Sequence, residues 1–315
     1  MAQQAQGYRG LLGLDFETTY NTTPSVPNGI LMPIQSSKVR SKQNLAEDKT
    51  ITGRRDPAQP SMGFIDVSGA VAVPVDEIAI GYWLKAIFGN PVTTGSADPY
   101  THVFKPGLSQ PSLVLEQAFP DINQYFLFNG CKVGKLGISF GGDGDLAANI
   151  DIMGAKETIS ATSFDSTLTP IPLTKFAPFK ASISENGVDL AVVTKCDLNL
   201  DMGLDGDTYV LGSNGFRGSV NEGIIGVSGS ITALFTDALL LNKAMAGTTS
   251  KITLKLTNGT HSLEFKLPEV MYERNSPTID GPKGVLVELS YKAFYRNSVE
   301  NAVIVVTLVN GQATY

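Results

Sequence analysis

The sequence predicts a mainly β protein in which one strand–helix unit occurs twice. Charged residues make up 17% of the 315 residues, below the usual level of about 25%, while glycine occurs 32 times and proline 17 times. Low charge combined with many turn-forming residues is typical of β-rich proteins with tight turns. Stretches of alternating polar and apolar residues recur along the chain, and only two stretches show helical spacing.

Both helical stretches follow a similar strand. Residues 67–73 (VSGAVAV) lead into the apolar stretch 76–89, and residues 227–233 (VSGSITA) lead into 236–247. Asp76 and Thr236 are the predicted N-caps, since their side chains can accept free backbone N–H groups of the first turn. Helical spacing places these side chains toward the core: Ile80, Trp83, Leu84, Ile87 and Phe88 in the first helix, and Leu240, Leu241 and Met245 in the second.

The remaining chain divides by composition. Residues 1–30 are predicted to be an N-terminal arm, because Gly, Gln, Asn, Thr and Pro dominate there. Residues 31–157 form a first module, 158–180 a linker rich in Ser, Thr and Pro, and 181–315 a second module. Alternation predicts strands at 63–73, 101–104, 112–116, 125–128, 133–140, 146–153, 196–202, 227–234, 251–256, 262–267, 284–295 and 302–309.

A second internal match complicates the repeat. Residues 136–145 (LGISFGGDGD) resemble residues 198–207 (LNLDMGLDGD). This pair follows the helix in the first half and precedes it in the second, so a simple tandem repeat cannot give both orders. We favour the strand–helix match as the true repeat, because a hairpin with a DGD turn recurs easily by chance.

Charge and cysteine content exclude several classes of function. The net charge is −6 and the pI is near 5.0, which argues against nucleic-acid binding, since a protein that grips phosphates needs a basic patch. Two cysteines make no disulfide framework. The N-terminus lacks the features of a signal peptide, and no apolar stretch approaches the ~20 residues of a membrane span. We therefore expect a protein without a membrane anchor that is made in the cytoplasm.

Residues suited to catalysis are sparse. His102 and His261 are the only histidines, and a metal site or a Ser-His-Asp triad would require one of them to meet suitable partners. The GGDGD segment at 141–145 fits no calcium-loop pattern and is interpreted as a turn. We expect no catalytic residue, metal or cofactor.

A charged loop is the other conspicuous feature. Residues 53–57 (GRRDP) form the densest basic spot of the chain. They are interpreted either as a solvated loop or as an assembly contact with acidic loops of a neighbour. The candidate assembly residues are Glu47, Asp48, Lys49, Arg54, Arg55, Asp205 and Asp207.

In order and spacing, the segments of this chain resemble the tail tube proteins of long-tailed (siphovirus-type) bacteriophages in their two-repeat form. The resemblance covers nearly the whole chain. The segments that carry it are ETTY at 17–20, GRRDP at 53–57, VSG at 67–69, WLKAIFG at 83–89, YTHVF at 100–104, GCKV at 130–133, VSGSIT at 227–232 and LEFKLP at 263–268.

The resemblance implies duplicated β-sandwich modules, each with one α-helix, whose strands close an inner barrel when subunits meet. It implies a structural protein, not an enzyme, that forms trimeric, pseudo-sixfold rings. The rings stack around a tape-measure protein into the tail tube, meet tail-tip and tail-terminator proteins at its ends, and conduct genomic DNA without binding it specifically. Assembly would take place in the host cytoplasm, and the protein would end in the virion tail.

Two other functions stay open from the sequence. A tail terminator or a baseplate ring protein of related fold would form rings that do not polymerise. A β-rich binding module or a hydrolase would be a stable monomer with polar groups converging near a histidine.

Overall fold

In the computed structural model, residues 4–142, 144–279, 281–296 and 300–315 are described. Strands dominate this part of the chain, which confirms the mainly β prediction. The strands are β1 Leu11–Phe16, β2 Ile30–Met32, β3 Ser36–Ser37, β4 Arg40–Ala46, β5 Ser61–Pro74, β6 Val92–Thr94, β7 Tyr100–Phe104, β8 Leu113–Phe119, β9 Gln124–Phe140, β10 Ala147–Gly154, β11 Lys156–Ser160, β12 Thr169–Pro170, β13 Ala181–Glu185, β14 Val188–Asp189, β15 Val193–Asp201, β16 Gly226–Leu234, β17 Ser250–Asn258, β18 His261–Tyr272, β19 Leu286–Ala293 and β20 Val305–Asn310. The α-helices are α1 Ala79–Phe88 and α2 Leu239–Ala246.

Two long strands, β9 and β18, each belong to two sheets. The first sheet has the order β12-β2-β1-β8-β9-β11. The central sheet has the order β4-β5-β10-β9-β15-β16-β19-β18. The third has the order β14-β13-β17-β18-β20-β7-β6. All of these pairings are antiparallel except that of β12 with β2.

The pairing order of the first half recurs in the second. β8 and β11 flank the first part of β9, while β10 pairs with its last part. In the same way, β17 and β20 flank the first part of β18, while β19 pairs with its end. β5 lies between β4 and β10, as β16 lies between β15 and β19. A helix follows β5 and β16, so the segments 67–73 and 227–233 occupy corresponding positions.

The second sequence match does not relate corresponding strands. Residues 136–140 lie on β9 and residues 198–201 on β15, and these two strands pair directly, with Leu198 opposite Ile138. The similarity therefore joins two neighbours in one sheet. Their shared pattern of alternating apolar residues is what a strand with one buried face requires.

Gly69 and Gly229 explain why VSG appears twice. A Cβ atom on Gly69 would collide with the carbonyl oxygen of Lys38, and one on Gly229 with the carbonyl oxygen of Asp197. In both places the neighbouring strand approaches the glycine backbone more closely than a side chain allows.

Helix α1 is buried on most of its surface. Asp76 precedes it, and its two carboxylate oxygens accept the backbone N–H groups of Ala79 and Ile80, both at 2.9 Å. Gly89 ends it with φ +87°, and its N–H donates to the Lys85 carbonyl at 2.8 Å. The predicted core-face side chains are at most 4% exposed: Ile80, Trp83, Leu84, Ile87 and Phe88.

Helix α2 differs from the prediction in two respects. Its first turn is capped by Asp237, whose Oδ1 accepts the Leu239 N–H at 2.8 Å, whereas Thr236 makes no side-chain cap. None of its side chains is fully buried; Leu240 and Leu241 are half-buried and Met245 is 48% exposed. The prediction that Met245 faces the core of the chain was wrong. The reason is that α2 packs mainly against β18, whereas α1 is covered by β7, β9 and the C-terminal Tyr315.

Parts of the predicted arm and linker belong to the sheets or pack against them. Residues 11–16 form β1, in which Leu12 and Leu14 are fully buried and the backbone pairs with β2 and β8. In 158–180, Phe176 is 1% exposed, and Asp165 accepts the N–H of Gly29 at 2.8 Å. Composition missed these contacts because their partners are distant in sequence. The modules are also not separate, since β20 pairs with β7.

Candidate functional site: the polar sheet face and its edges

The central sheet has one apolar face and one polar face. Its alternating apolar side chains, such as Val71, Ile150 and Leu198, are buried in the core. The opposite face carries small uncharged residues, with Asn149 and Ser230 near its middle. Charged side chains of both signs lie on this face, among them Asp66, Asp151, Asp197, Asp201, Glu273 and Glu288, and Lys38, Arg40, Lys42, Lys135, Lys195 and Lys292.

Strands β9 and β15 join the two halves of the chain in the middle of this face. Lys135 on β9 lies opposite Asp201 on β15, and the two form an ion pair of 3.0 Å. The hydrogen bond to Asp201 raises the pKa of Lys135. The pKa of Asp201 is lowered, chiefly because its carboxylate accepts the backbone N–H of Gly203. The junction therefore has a basic side on β9 and an acidic side on β15.

One edge of the central sheet is formed by β4. This strand pairs with β5, and its other edge has no strand partner in the described residues. Lys38, Arg40 and Lys42 lie opposite Ala70, Ser68 and Asp66 of β5, and therefore share the polar face. All three are exposed. The edge is strongly basic. Its backbone groups, which no other strand covers in the described residues, can pair with a further strand.

The opposite edge follows the end of β18. Residues 270–272 pair with β19, and the chain continues beside it, since the Glu273 N–H donates to the Ser290 carbonyl at 2.8 Å. The amide of Asn275 donates to the Glu288 carbonyl at 3.0 Å. The Glu273 carboxylate lies 3.2 Å from Lys292. Residues 273–276 are exposed, so this edge can also pair with another strand.

The hairpin between β4 and β5 carries most of the candidate assembly residues. Residues 47–60 are exposed throughout, including Glu47, Lys49 and Arg55. Asp48 accepts the Thr50 hydroxyl and N–H, which lowers its pKa. Arg54 forms an ion pair of 2.7 Å with Asp56, in which both side chains are more than 70% exposed. Within one chain the loop thus bonds only to itself and presents its charges to solvent.

Comparison with known proteins identifies the family. The sequence profile of the phage tail tube protein family matches residues 7–293. The chain belongs to the phage tail tube protein family. It is thus a structural component of the phage tail, and the resemblance to tail tube proteins is confirmed at the level of the family.

No curated protein matches this tail tube protein in sequence. Among solved structures, a chain of the anti-feeding prophage (AFP) baseplate, determined by cryo-EM with 6-fold symmetrisation, aligns at 11% identity and a TM-score of 0.30. The alignment covers 50% of the tail tube protein and 97% of that chain. A likeness at this TM-score carries no argument about fold or function.

The loop 202–225 of the tail tube protein contains Asp205 and Asp207. The N–H of Asp207 donates to the Asp205 carboxylate at 3.0 Å, and Asp205 forms an isolated bridge with Asn221. The loop contacts β5 of its own chain, since the Gly215 carbonyl accepts the N–H of Ile65 at 2.8 Å. The structure thus brings the loop that contains these two acidic residues against β5.

Arg217 holds this loop against the sheet, a role that was not predicted from the sequence. Its side chain is 7% exposed and donates to the carbonyl oxygens of Gly206 at 2.6 Å, Val67 at 3.2 Å and Gly154 at 3.1 Å. It also forms an ion pair with Asp66. A lone arginine in a glycine-rich loop carries no local signal of burial, because its partners come from β5 and β10.

Both histidines are hydrogen-bonded to neighbouring residues. His102 is buried between the Thr93 hydroxyl and the Gln312 carbonyl, each at 2.8 Å, and burial lowers its pKa. His261 lies 2.6 Å from Glu77 and 3.1 Å from Asp98, and the bond to Glu77 raises its pKa. Within the described ranges, no group of three or more His, Cys, Asp or Glu side chains could hold a metal ion. Neither described helix is long and apolar enough to span a membrane.

Proposed function

We propose that this protein is the subunit of a phage tail tube, and that three copies close a pseudo-sixfold ring. The supporting observation is the repeated pairing order, in which six strands of the first half correspond to six of the second. A chain that carries the same module twice contributes two similar modules to a ring, so three chains supply six modules. We propose the duplication of the module together with the ring.

The edges of the central sheet support ring closure. Inside the chain, β15 pairs with β9, which joins the second module to the first. The strand that corresponds to β15 in the first module is β4, and the segment that corresponds to the end of β9 in the second is 273–279. In the described residues, β4 and residues 273–276 of this segment lie at edges that no other strand covers, and one can pair with the other between copies. Closing sheet edges in this way satisfies their backbone groups and favours assembly.

The polar face of the central sheet would then line the lumen. The overall charge predicts an acidic wall, but this face carries both acidic and basic groups. A surface of mixed charge with many small residues offers phosphates no strong attraction, which suits genomic DNA that must pass without specific binding. The same lumen would first hold a tape-measure protein. Head-to-tail stacking of rings produces an open filament, whose ends would meet the tail-tip and tail-terminator proteins.

The exposed β4–β5 hairpin is the proposed contact between rings. Its charged residues 47–49 and 54–55 project from one chain and have no partner outside the loop in the described residues. Replacing residues 48–58 with a short Gly-Ser turn should leave rings intact and abolish tubes. Tubes of normal length from this variant would exclude the hairpin as the stacking contact and favour the interpretation of a solvated loop.

Electron microscopy of the purified protein across a concentration series tests the function. We expect rings or hollow tubes with six-fold end views, and a ring mass equal to three chains. If only monomers form, purified tail tips should be added as initiators. Monomers that persist with tail tips would refute the proposal and favour a binding module. Rings that never grow into tubes would instead favour a tail terminator or a baseplate ring protein.

A further inference from the structure

The two kinds of junction in the proposed ring carry opposite charge polarity, and we propose that this reversal decides which edge pairs with which. The partner at the open edge is a second copy of this chain, with Lys42 of one copy opposite Glu273 of the next. This inference rests on the proposed ring. It adds the register and the charge pair that make the contact specific.

The junction between β9 and β15, inside the chain, is the one with which the junction between chains is compared. Lys135 lies on β9 and pairs with Asp201 on β15 at 3.0 Å. Asp197 lies two pairs further along the polar side of β15, opposite Ser139. Asp197 forms an ion pair of 2.7 Å with Lys195 of the same strand, so the polarity of the junction is set by the Lys135–Asp201 pair, with the base on β9 and the acid on β15.

The strand β4 carries the opposite charges at the corresponding positions. Gly69 and Gly229 occupy the same place in β5 and β16. Three residues before these glycines, Asp66 lies opposite Lys42 of β4, and Gly226 lies opposite Asp201 of β15. Lys42 and Asp201 therefore occupy corresponding positions. By the same register, Lys38 takes the place of Asp197, and Arg40 that of Asn199. The three basic side chains make no hydrogen bond or ion pair within the described part of the chain.

The opposite edge is reversed as well. In the first module, Lys135 lies opposite Asp151 of β10. Ser290 of β19 corresponds to Asp151, and Glu273 donates its N–H to the Ser290 carbonyl. Glu273 therefore stands where Lys135 stands. Its contact with Lys292 leaves the carboxylate side chain 56% exposed and able to meet a further cation.

Opposite polarity works against incorrect pairing. If β4 of another copy replaced β15 beside β9, Lys42 would face Lys135. If residues 273–276 took β15 as their partner, Glu273 would face Asp201. Like charges directly opposite each other on neighbouring strands are destabilising, so each edge rejects the wrong partner as well as accepting the right one.

Charge reversal tests the pair. Lys42→Glu and Glu273→Lys should each raise the protein concentration at half-assembly of rings about tenfold, because every junction between chains then places like charges opposite each other. The double variant should return to within about twofold of the unmodified protein. Lys180→Glu serves as the control, since it makes the same charge change at an exposed site away from both edges.

Cysteine cross-linking tests the register independently of affinity. The chain's own thiols, Cys131 and Cys196, are buried. The variant carrying Lys42→Cys and Glu273→Cys should therefore form disulfides between chains on mild oxidation and give covalent trimers on a non-reducing gel. The variant carrying Lys180→Cys and Glu273→Cys should stay monomeric on that gel.

The outcomes separate the two proposals. If the unmodified protein forms rings but the double variant is no better than the single ones, or the 42–273 cross-link fails, this register is wrong and the ring stands. If the unmodified protein forms no ring even with tail tips, both proposals fail together.

Discussion

Replacing Arg217 with methionine should detach the loop 202–225 and destabilise the chain more than any surface change of the same kind. The guanidinium donates to three carbonyl oxygens, two of which belong to the buried residues Val67 and Gly154. Methionine keeps most of the apolar stem but supplies no donor. Each lost bond then leaves a carbonyl oxygen without its partner.

The magnitude follows from these bonds. At about 1 kcal/mol for each of three carbonyl bonds, Arg217→Met should lower the free energy of unfolding by about 3 kcal/mol. The ion pair with Asp66 adds less than about 1 kcal/mol, since the Asp66 side chain is 43% exposed and solvent screens the charge. Arg217→Lys keeps a charge but loses the planar fork, so its loss should be about half as large.

Chemical denaturation measures this directly. Trp83 is fully buried, so its fluorescence reports unfolding. Arg54→Met is the matched control, because the Arg54–Asp56 pair is more than 70% exposed on both sides and should contribute less than about 0.5 kcal/mol. Hydrogen exchange at the Ile65 N–H should also quicken in Arg217→Met, since its acceptor is Gly215 of the loop. If Arg217→Met and Arg54→Met lowered the free energy of unfolding equally, the proposed role of Arg217 in holding the loop 202–225 would be refuted.

Three further predictions concern other parts of the chain. Leu84→Ala should cost about 3 kcal/mol of unfolding free energy and Leu240→Ala about half of that, since only Leu84 is fully buried; equal denaturation midpoints would contradict this. His261 has a raised pKa, so its contribution to stability is complete below about pH 6.5 and is lost as the pH rises through its folded pKa; His261→Gln should remove that slope. Burial raises the pKa of the Cys131 thiol, so iodoacetamide should modify it only after unfolding.

Local patterns in the sequence predicted most of the secondary structure. Helix α1 could be recognised because its apolar spacing, its capping Asp76 and its terminal Gly89 agree. The strands on either side of residues 141–145 could be recognised because one face is buried and alternation is strict; the predicted turn itself includes residue 143, which lies outside the described residues. The interpretation of residues 125–128 and 133–140 as two strands was wrong. They form the single strand β9, which bends at Gly130 with φ +60°.

Features that depend on distant partners could not be predicted. Nothing near Leu12 and Leu14 indicates that β8 lies a hundred residues further along the chain and pairs with their strand. Met245 fits a helical apolar face, yet α2 lacks the layer that covers α1. The basic edge was also missed, since Lys38, Arg40 and Lys42 look like ordinary exposed residues until the register with β5 places them on one face.

The contrast between the two halves carries a physical argument. At Gly69 and Gly229 both halves keep the same residue, because in both places a neighbouring carbonyl leaves no room for a side chain. At the strand edges they differ, with Lys42 of β4 in the position that Asp201 takes on β15. A ring of identical single modules would have one kind of junction repeated throughout, so every edge would accept every other. In the proposed ring, two modules in one chain allow the junction inside the chain and the junction between chains to take opposite polarity. We infer that this difference directs each edge to its own partner at little cost in stability, because exposed charge pairs contribute little to the fold but discriminate between competing pairings.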